Sequence, residues 1–137
     1  MGKKGLEDLQ VWLRAKQLAV VVCKEAVPRF PPEEKYCLGL QLRRAVQSIP
    51  ANIAEAYGRF HSRDAIRFCY IARGSLEETL SHLILARELD YLAEQNYRTY
   101  RETIREIGRM LNGYIDYLRK EYPRHVDQDR QLDNPGP

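Results

Sequence analysis

The stretch from Gln41 to Arg59, QLRRAVQSIPANIAEAYGR, lays two helical stripes side by side. At about 100° per residue, Gln41, Arg44, Ser48, Asn52, Glu55 and Arg59 fall within a sector roughly 80° wide. Leu38, Leu42, Ala45, Val46, Ile49, Ile53, Ala56 and Phe60 form a second stripe centred roughly 90° away. The second stripe is a core face, and its phase predicts a buried Phe60. The first is a ladder of groups that can bond to one another, which a fully exposed helix does not need. It predicts a half-buried polar network serving packing or subunit contact. Pro50 sits inside the helix, removes one backbone hydrogen bond and favours a kink.

The rest of the chain carries the same period. Leu9, Trp12, Leu13, Ala19, Val20, Cys23 and Val27 mark a helix over about 6–27, and the Val20–Val22 run suggests burial on more than one side. Pro28, Pro31 and Pro32 end it, and Glu33 and Glu34 suit the start of a second helix over 33–57. Ser62 caps a third, over 62–90, which buries Ala65, Phe68, Cys69, Ala72, Leu76, Leu80, Leu83 and Ala86. Gly74 inside it predicts close approach of a neighbouring helix, with a break as the alternative. A fourth, over 95–122, carries Tyr97, Tyr100, Ile104, Ile107, Leu111, Ile115 and Leu118 as its core stripe. Residues 1–122 thus form one all-α domain, an antiparallel up-down-up-down four-helix bundle, behind a short flexible leader. The polar stretch 123–137 reads as a flexible tail.

Several function classes fall away on composition. The net charge of +3 permits nucleic-acid binding without arguing for it. No apolar run approaches the ~20 residues of a membrane span, and MGKKGLEDLQ does not fit a secretory signal. The three cysteines, Cys23, Cys37 and Cys69, are widely spaced and read as reduced thiols of a cytoplasmic protein. His61, His82 and His125 share no ligand spacing, so neither a metal nor another cofactor is expected. There is no phosphate-binding glycine loop and no nucleophile elbow.

Three clusters remain. Arg98, Arg101, Arg105 and Arg109 lie within about 80° of one another on the fourth helix, more than about 100° from its core stripe. Asn112, Asp116 and Arg119 continue the line. Such a row can follow a phosphate backbone; the competing reading is a solvated face, with Glu102 and Glu106 as helical partners. Arg59, Arg63 and Arg67, with Arg73 beyond, surround a loop holding Phe60 and His61, a mixture of charge and aromatic suited to RNA. Nine tyrosines stand against three phenylalanines, and most crowd the last third, as at a subunit interface or along a core edge. Glu55 as a general base, with Asn52 and Arg44 binding substrate, lacks an acid, histidine or metal beside it, so no enzyme is expected.

QLRRAVQSIPANIAEAYGR followed by RFCYIARGSLEE resembles the small bacterial four-helix-bundle proteins encoded in intervening sequences of large-subunit ribosomal RNA genes. The accessory proteins of diversity-generating retroelements are similar to that group. The resemblance runs from about Leu9 to Leu118. Ala56 stands where the family usually has glycine after its Asn-Ile-Ala-Glu run, which bears on local backbone approach there. The resemblance implies a homopentameric ring that binds structured RNA or an RNA–DNA hybrid, with a reverse transcriptase as partner in the retroelement case. A scaffold without nucleic-acid binding, its arginines paired within the oligomer, is the alternative.

Overall fold

The computed structural model describes the backbone of residues 5–133 and the side chains of residues 5–121. Four helices follow in chain order: α1 (Gln10–Val21), α2 (Leu38–Gly58), α3 (Ser62–Glu88) and α4 (Glu94–Asp133). α2 packs on α1 and α3, and α4 on α3 and α1, so chain neighbours are spatial neighbours in a four-helix bundle. Among the described residues there is no strand, and no helix is long and apolar enough to cross a membrane.

The apolar stripes meet at the bundle axis. Leu18, Val22, Leu42, Val46, Ile49, Ile53, Leu76, Leu83, Ile107 and Leu111 are all but removed from water, with Tyr97 beside them. Each such aliphatic side chain contributes about 1.5–3 kcal/mol. Phe68 and Leu80, expected inside, are half-buried at the margin.

Helix ends depart from the sequence reading for local reasons. α1 is preceded by a 3-10 turn at Leu6–Asp8 and leaves through a π-helical turn, Val22–Ala26, and a 3-10 turn, Val27–Arg29. It buries one side only: Val22 is enclosed while Val20 stays exposed, because its packing partners are α2 and α4 alone. α2 begins at Leu38 rather than Glu33. The Glu34 carboxylate accepts the Leu38 N–H at 3.1 Å, capping the helix from four residues upstream. Pro32–Glu34 forms its own 3-10 turn, and Pro50 lies within an unbroken α2.

Gly74 corrects a further expectation. Nothing lies within 4 Å of where its Cβ would sit, and α3 runs through it unbroken, so neither close approach nor a break explains it. The tight glycine is Gly39, whose Cβ would stand 2.9 Å from the Glu34 carbonyl oxygen.

α3 ends in a Schellman motif. Asp90 adopts a left-handed φ of 62°, its N–H bonds to the Arg87 carbonyl at 3.0 Å, and the Tyr91 N–H reaches back to Ala86 at 2.9 Å. Tyr91 then packs on Phe30, ring centroids 5.7 Å apart, and donates its hydroxyl to Glu34 at 3.4 Å.

α4 does not stop near 122. The helix passes Pro123 and reaches Asp133. The tail expected over 123–137 therefore begins as helical backbone. Its last residues, 134–137, and the leader residues 1–4 lie outside the described residues.

Candidate nucleic-acid interface

The arginine row of α4 lies along a groove that α4 shares with α3. Three contacts fix their antiparallel register. Arg119 donates to the Tyr70 hydroxyl, Arg73 donates to Asn112 Oδ1 at 3.2 Å, and Arg87 stands 3.8 Å from the Glu94 carboxylate. α3 thus adds Arg73 and Arg87 to the α4 row. Sequence reasoning gave neither a place there, although Arg73, Leu80 and Arg87 recur every seven residues along one edge of α3.

Within the groove the arginines differ in engagement. Arg98 pairs with Glu94 at 3.1 Å, and Arg109 only loosely with Glu102 at 4.0 Å. Arg105 is exposed and makes no ion pair among the described residues. Arg101 is half-buried: one terminal nitrogen reaches the Tyr97 hydroxyl at 3.5 Å, while its Nε is out of water with no acceptor among the described residues. Arg73 and Arg119 lie over the Tyr70 ring at 4.8 and 5.9 Å, and Arg87 over Tyr97 at 4.1 Å.

Glu106 flanks this row at Arg109, whose charge it feels, but makes its ion pair elsewhere. It turns to α1 and pairs with Arg14 at 2.5 Å, and the hydrogen bond from that guanidinium holds its carboxyl below the usual range. Paired to Arg14, Glu106 forms no ion pair with Arg105 or Arg109, and the α3-facing edge keeps a net positive character.

The ladder of α2 is only partly the network its phase predicts. Ser48 and Asn52 are half-buried; Gln41, Arg44, Glu55 and Arg59 are exposed. The buried part crosses to α3 instead of continuing along α2. Ser48 Oγ stands 2.8 Å from Ser75 Oγ. Asn52 donates to the Ser48 carbonyl and hydroxyl at 2.8 and 2.9 Å, and Thr79 donates to the Ser75 carbonyl at 2.8 Å. Ser75 and Thr79 were missed as network members, although both are polar residues in phase with the α3 core stripe. Glu55 is held in an exposed pair with Arg59 at 3.2 Å.

The third cluster lies beyond the Arg73 end of the groove. Arg59 and Arg67 lie over the Phe68 ring at 4.7 and 5.4 Å, and Arg63 projects beside them. Arg67 and Arg73 are about 9 Å apart along α3 at about 1.5 Å per residue, so this cluster continues from the Arg73 end of the groove, while Arg87 lies at its far end. Phe60, expected in the core, is 68 % exposed. α2 ends at Gly58, and the extended backbone at Arg59 takes Phe60 out of the helical phase on which that expectation rested.

Comparison with known proteins agrees with this architecture. A family model described as 23S rRNA-intervening sequence protein matches residues 7–113. Among solved structures, a protein of unknown function from the S23 ribosomal protein family of Bacteroides thetaiotaomicron VPI-5482 is similar, at 25% sequence identity and a TM-score of 0.60. The alignment covers 81% of this chain and 98% of that one. No curated protein matches the chain.

Proposed function

The chain belongs to the family of 23S rRNA-intervening sequence proteins, and we propose that it is a non-enzymatic, oligomeric nucleic-acid-binding module. The family's name associates it with ribosomal RNA at the level of the family. The observation that carries the reading for this chain is the α3/α4 groove, where Arg73 and Arg87 face Arg101, Arg105 and Arg119 across a helix pair. Guanidiniums on two antiparallel helices present forked donors to successive phosphates, and the exposed Arg105, with no ion pair among the described residues, is open to an incoming oxyanion. Structured RNA or an RNA–DNA hybrid is the proposed ligand, and in a retroelement setting a reverse transcriptase is the protein partner.

Assembly belongs to the same proposal. Gln41, Arg44 and Glu55 stand exposed on α2, and Ile71 and Leu85 are exposed on the α3 that packs against it. A polar ladder together with exposed aliphatics is the composition of a subunit contact. A homopentameric ring would repeat the groove five-fold, so that a weakly basic chain gains attachment through multivalency.

The test is binding of nuclease-treated protein to structured RNA across a salt series, beside its solution mass. If about four phosphates are neutralised per groove, log K should fall against log salt with a slope of about −3 to −4. Changing Arg98, Arg101, Arg105 and Arg109 to Glu should abolish binding and leave the mass unchanged. One observation favours a second reading: Arg87, Arg98, Arg109, Arg119 and Arg59 each have an acidic partner within the chain. Exposed pairs of this kind contribute ~0–1 kcal/mol, so phosphates can displace them. An oligomer indifferent to RNA at low salt would make the protein a scaffold.

A further inference from the structure

At the end of the bundle where α2 turns into α3, aromatic side chains from three segments line a cavity of about 390 Å³. Tyr57 closes α2, Phe60 lies in the loop, and Tyr114 and Tyr117 come from α4. The two α4 rings are nearly parallel, 11° between planes with centroids 6.4 Å apart. Phe60 and Tyr117 are 68 % and 58 % exposed, an unusual outlay of aromatic surface to leave against water. Arg59 stands at the lip, with Arg63 and Lys120 exposed on the adjoining turns.

This end differs chemically from the groove. In the groove the aromatic faces already carry cations: Arg73 and Arg119 on Tyr70, Arg87 on Tyr97. At the cavity the α4 rings stack on each other, Phe60 meets His61 edge-on with ring centroids 5.0 Å apart, and Arg59 lies over Phe68. The groove is thus fitted to phosphates, the cavity to flat π-systems linked to phosphates. A volume of this order is that of a small-molecule pocket and accepts a planar ring.

We propose that this cavity binds the unpaired bases of a single-stranded nucleic-acid segment, stacking them on Tyr117 and Phe60 while Arg59 takes the adjacent phosphate. The proposal rests on the nucleic-acid reading above and adds which part of the ligand goes where. A continuous duplex hides its base faces in its own stack, so only loops, bulges and single-stranded ends can use the site. The exposed Arg59–Glu55 pair does not block it, since such pairs exchange readily with solvent and ions.

The experiment uses the full chain and three probes at one salt concentration: a single-stranded uridine-rich RNA, the same sequence as DNA, and a blunt RNA duplex of equal length. The single strands are expected to bind about tenfold more tightly than the duplex, the scale of losing one or two stacked bases. The double variant Phe60→Leu, Tyr117→Leu keeps apolar bulk and should lose that advantage while binding duplex as before. Photo-crosslinking of a thiouridine-substituted strand to the unaltered protein, mapped by mass spectrometry, should mark Tyr117 or Phe60, and does not depend on a variant folding. Equal binding of RNA and DNA strands, or tighter binding of RNA, both support the site; the second adds contact with the 2′-hydroxyl. Equal affinity for strand and duplex, with crosslinks confined to the α3/α4 groove, overturns the proposal and leaves the nucleic-acid function standing. Failure of every probe to bind at low salt overturns both.

Discussion

Ser48 on α2 and Ser75 on α3 hold their hydroxyl oxygens 2.8 Å apart across the helix pair. Each is fixed from its own helix, Ser48 by the amide of Asn52 and Ser75 by the hydroxyl of Thr79 on its carbonyl. Three polar side chains, Asn52, Ser48 and Ser75, thus form one bridge between the two helices. The bridge runs from half-buried Ser48 and Asn52 to buried Ser75, and it favours a single α2/α3 register because a slip would leave the Ser75 hydroxyl buried without a partner.

The bridge should behave as a unit. Ser75→Val removes one hydroxyl, leaves the other with Asn52 alone, and is expected to cost about 0.5–1.5 kcal/mol in urea denaturation. The double variant Ser48→Ala, Ser75→Ala removes both partners and should be less destabilised than the sum of its single variants. Strictly additive losses would show that the two serines do not interact in solution.

The glycines of α2 and α3 should respond in opposite directions. Gly74 is exposed in a helix interior, with open space where a methyl group would sit. Gly74→Ala should therefore stabilise the protein by about 0.5–1 kcal/mol. At Gly39 a Cβ would stand 2.9 Å from the Glu34 carbonyl oxygen, a backbone atom that cannot swing aside. Gly39→Ala should destabilise by about 1–3 kcal/mol, the range for overpacking a tight contact. Thermal denaturation of the pair decides the matter, and a stabilised Gly39→Ala would show that the α2 entry is looser than this distance implies.

The bundle was legible because helical period is written in every segment: Leu42, Ile49 and Ile53, or Ile104, Ile107 and Leu111, can be buried together on only one face. Phase within a helix is a local property. It stops being informative where the backbone leaves the helix, which is why Phe60, just past Gly58, escapes the core that its phase predicts. The Glu34 cap was hidden for the same reason, since a carboxylate four residues ahead of Leu38 looks like a first-turn acid. The candidate site was half legible. The α4 arginine row follows from spacing, but its companions Arg73 and Arg87 depend on how α3 is rotated against α4. Glu106 shows the converse: its position beside Arg105 and Arg109 in sequence suggests a neutralising partner, whereas rotation about α4 delivers it to Arg14.

The Arg14–Glu106 pair and Tyr114 should shape the two limbs of the stability–pH profile. Hydrogen bonding from Arg14 lowers the Glu106 carboxyl below its ordinary 4.5. A lowered acid contributes stability that is fully present above the unfolded value and is lost as pH falls through the folded one. Glu106→Gln should therefore flatten the profile below about pH 4.5 and leave the alkaline limb alone. Burial, with smaller contributions from Cys69, Tyr117 and Tyr57, pushes the Tyr114 phenol from 10.0 up to about 12. A raised tyrosine contributes stability that is fully present below pH 10 and drains away as pH climbs through about 12, by up to about 2 kcal/mol once solvent screening is allowed for. Tyr114→Phe should flatten that limb, while Cys69, raised from 9.0 to about 11 by burial, keeps some alkaline slope in the variant. Melting temperatures of the three proteins between pH 3 and about 11 test both ends. An acid limb that Glu106→Gln does not alter would mean that the pair with Arg14 does not persist in solution.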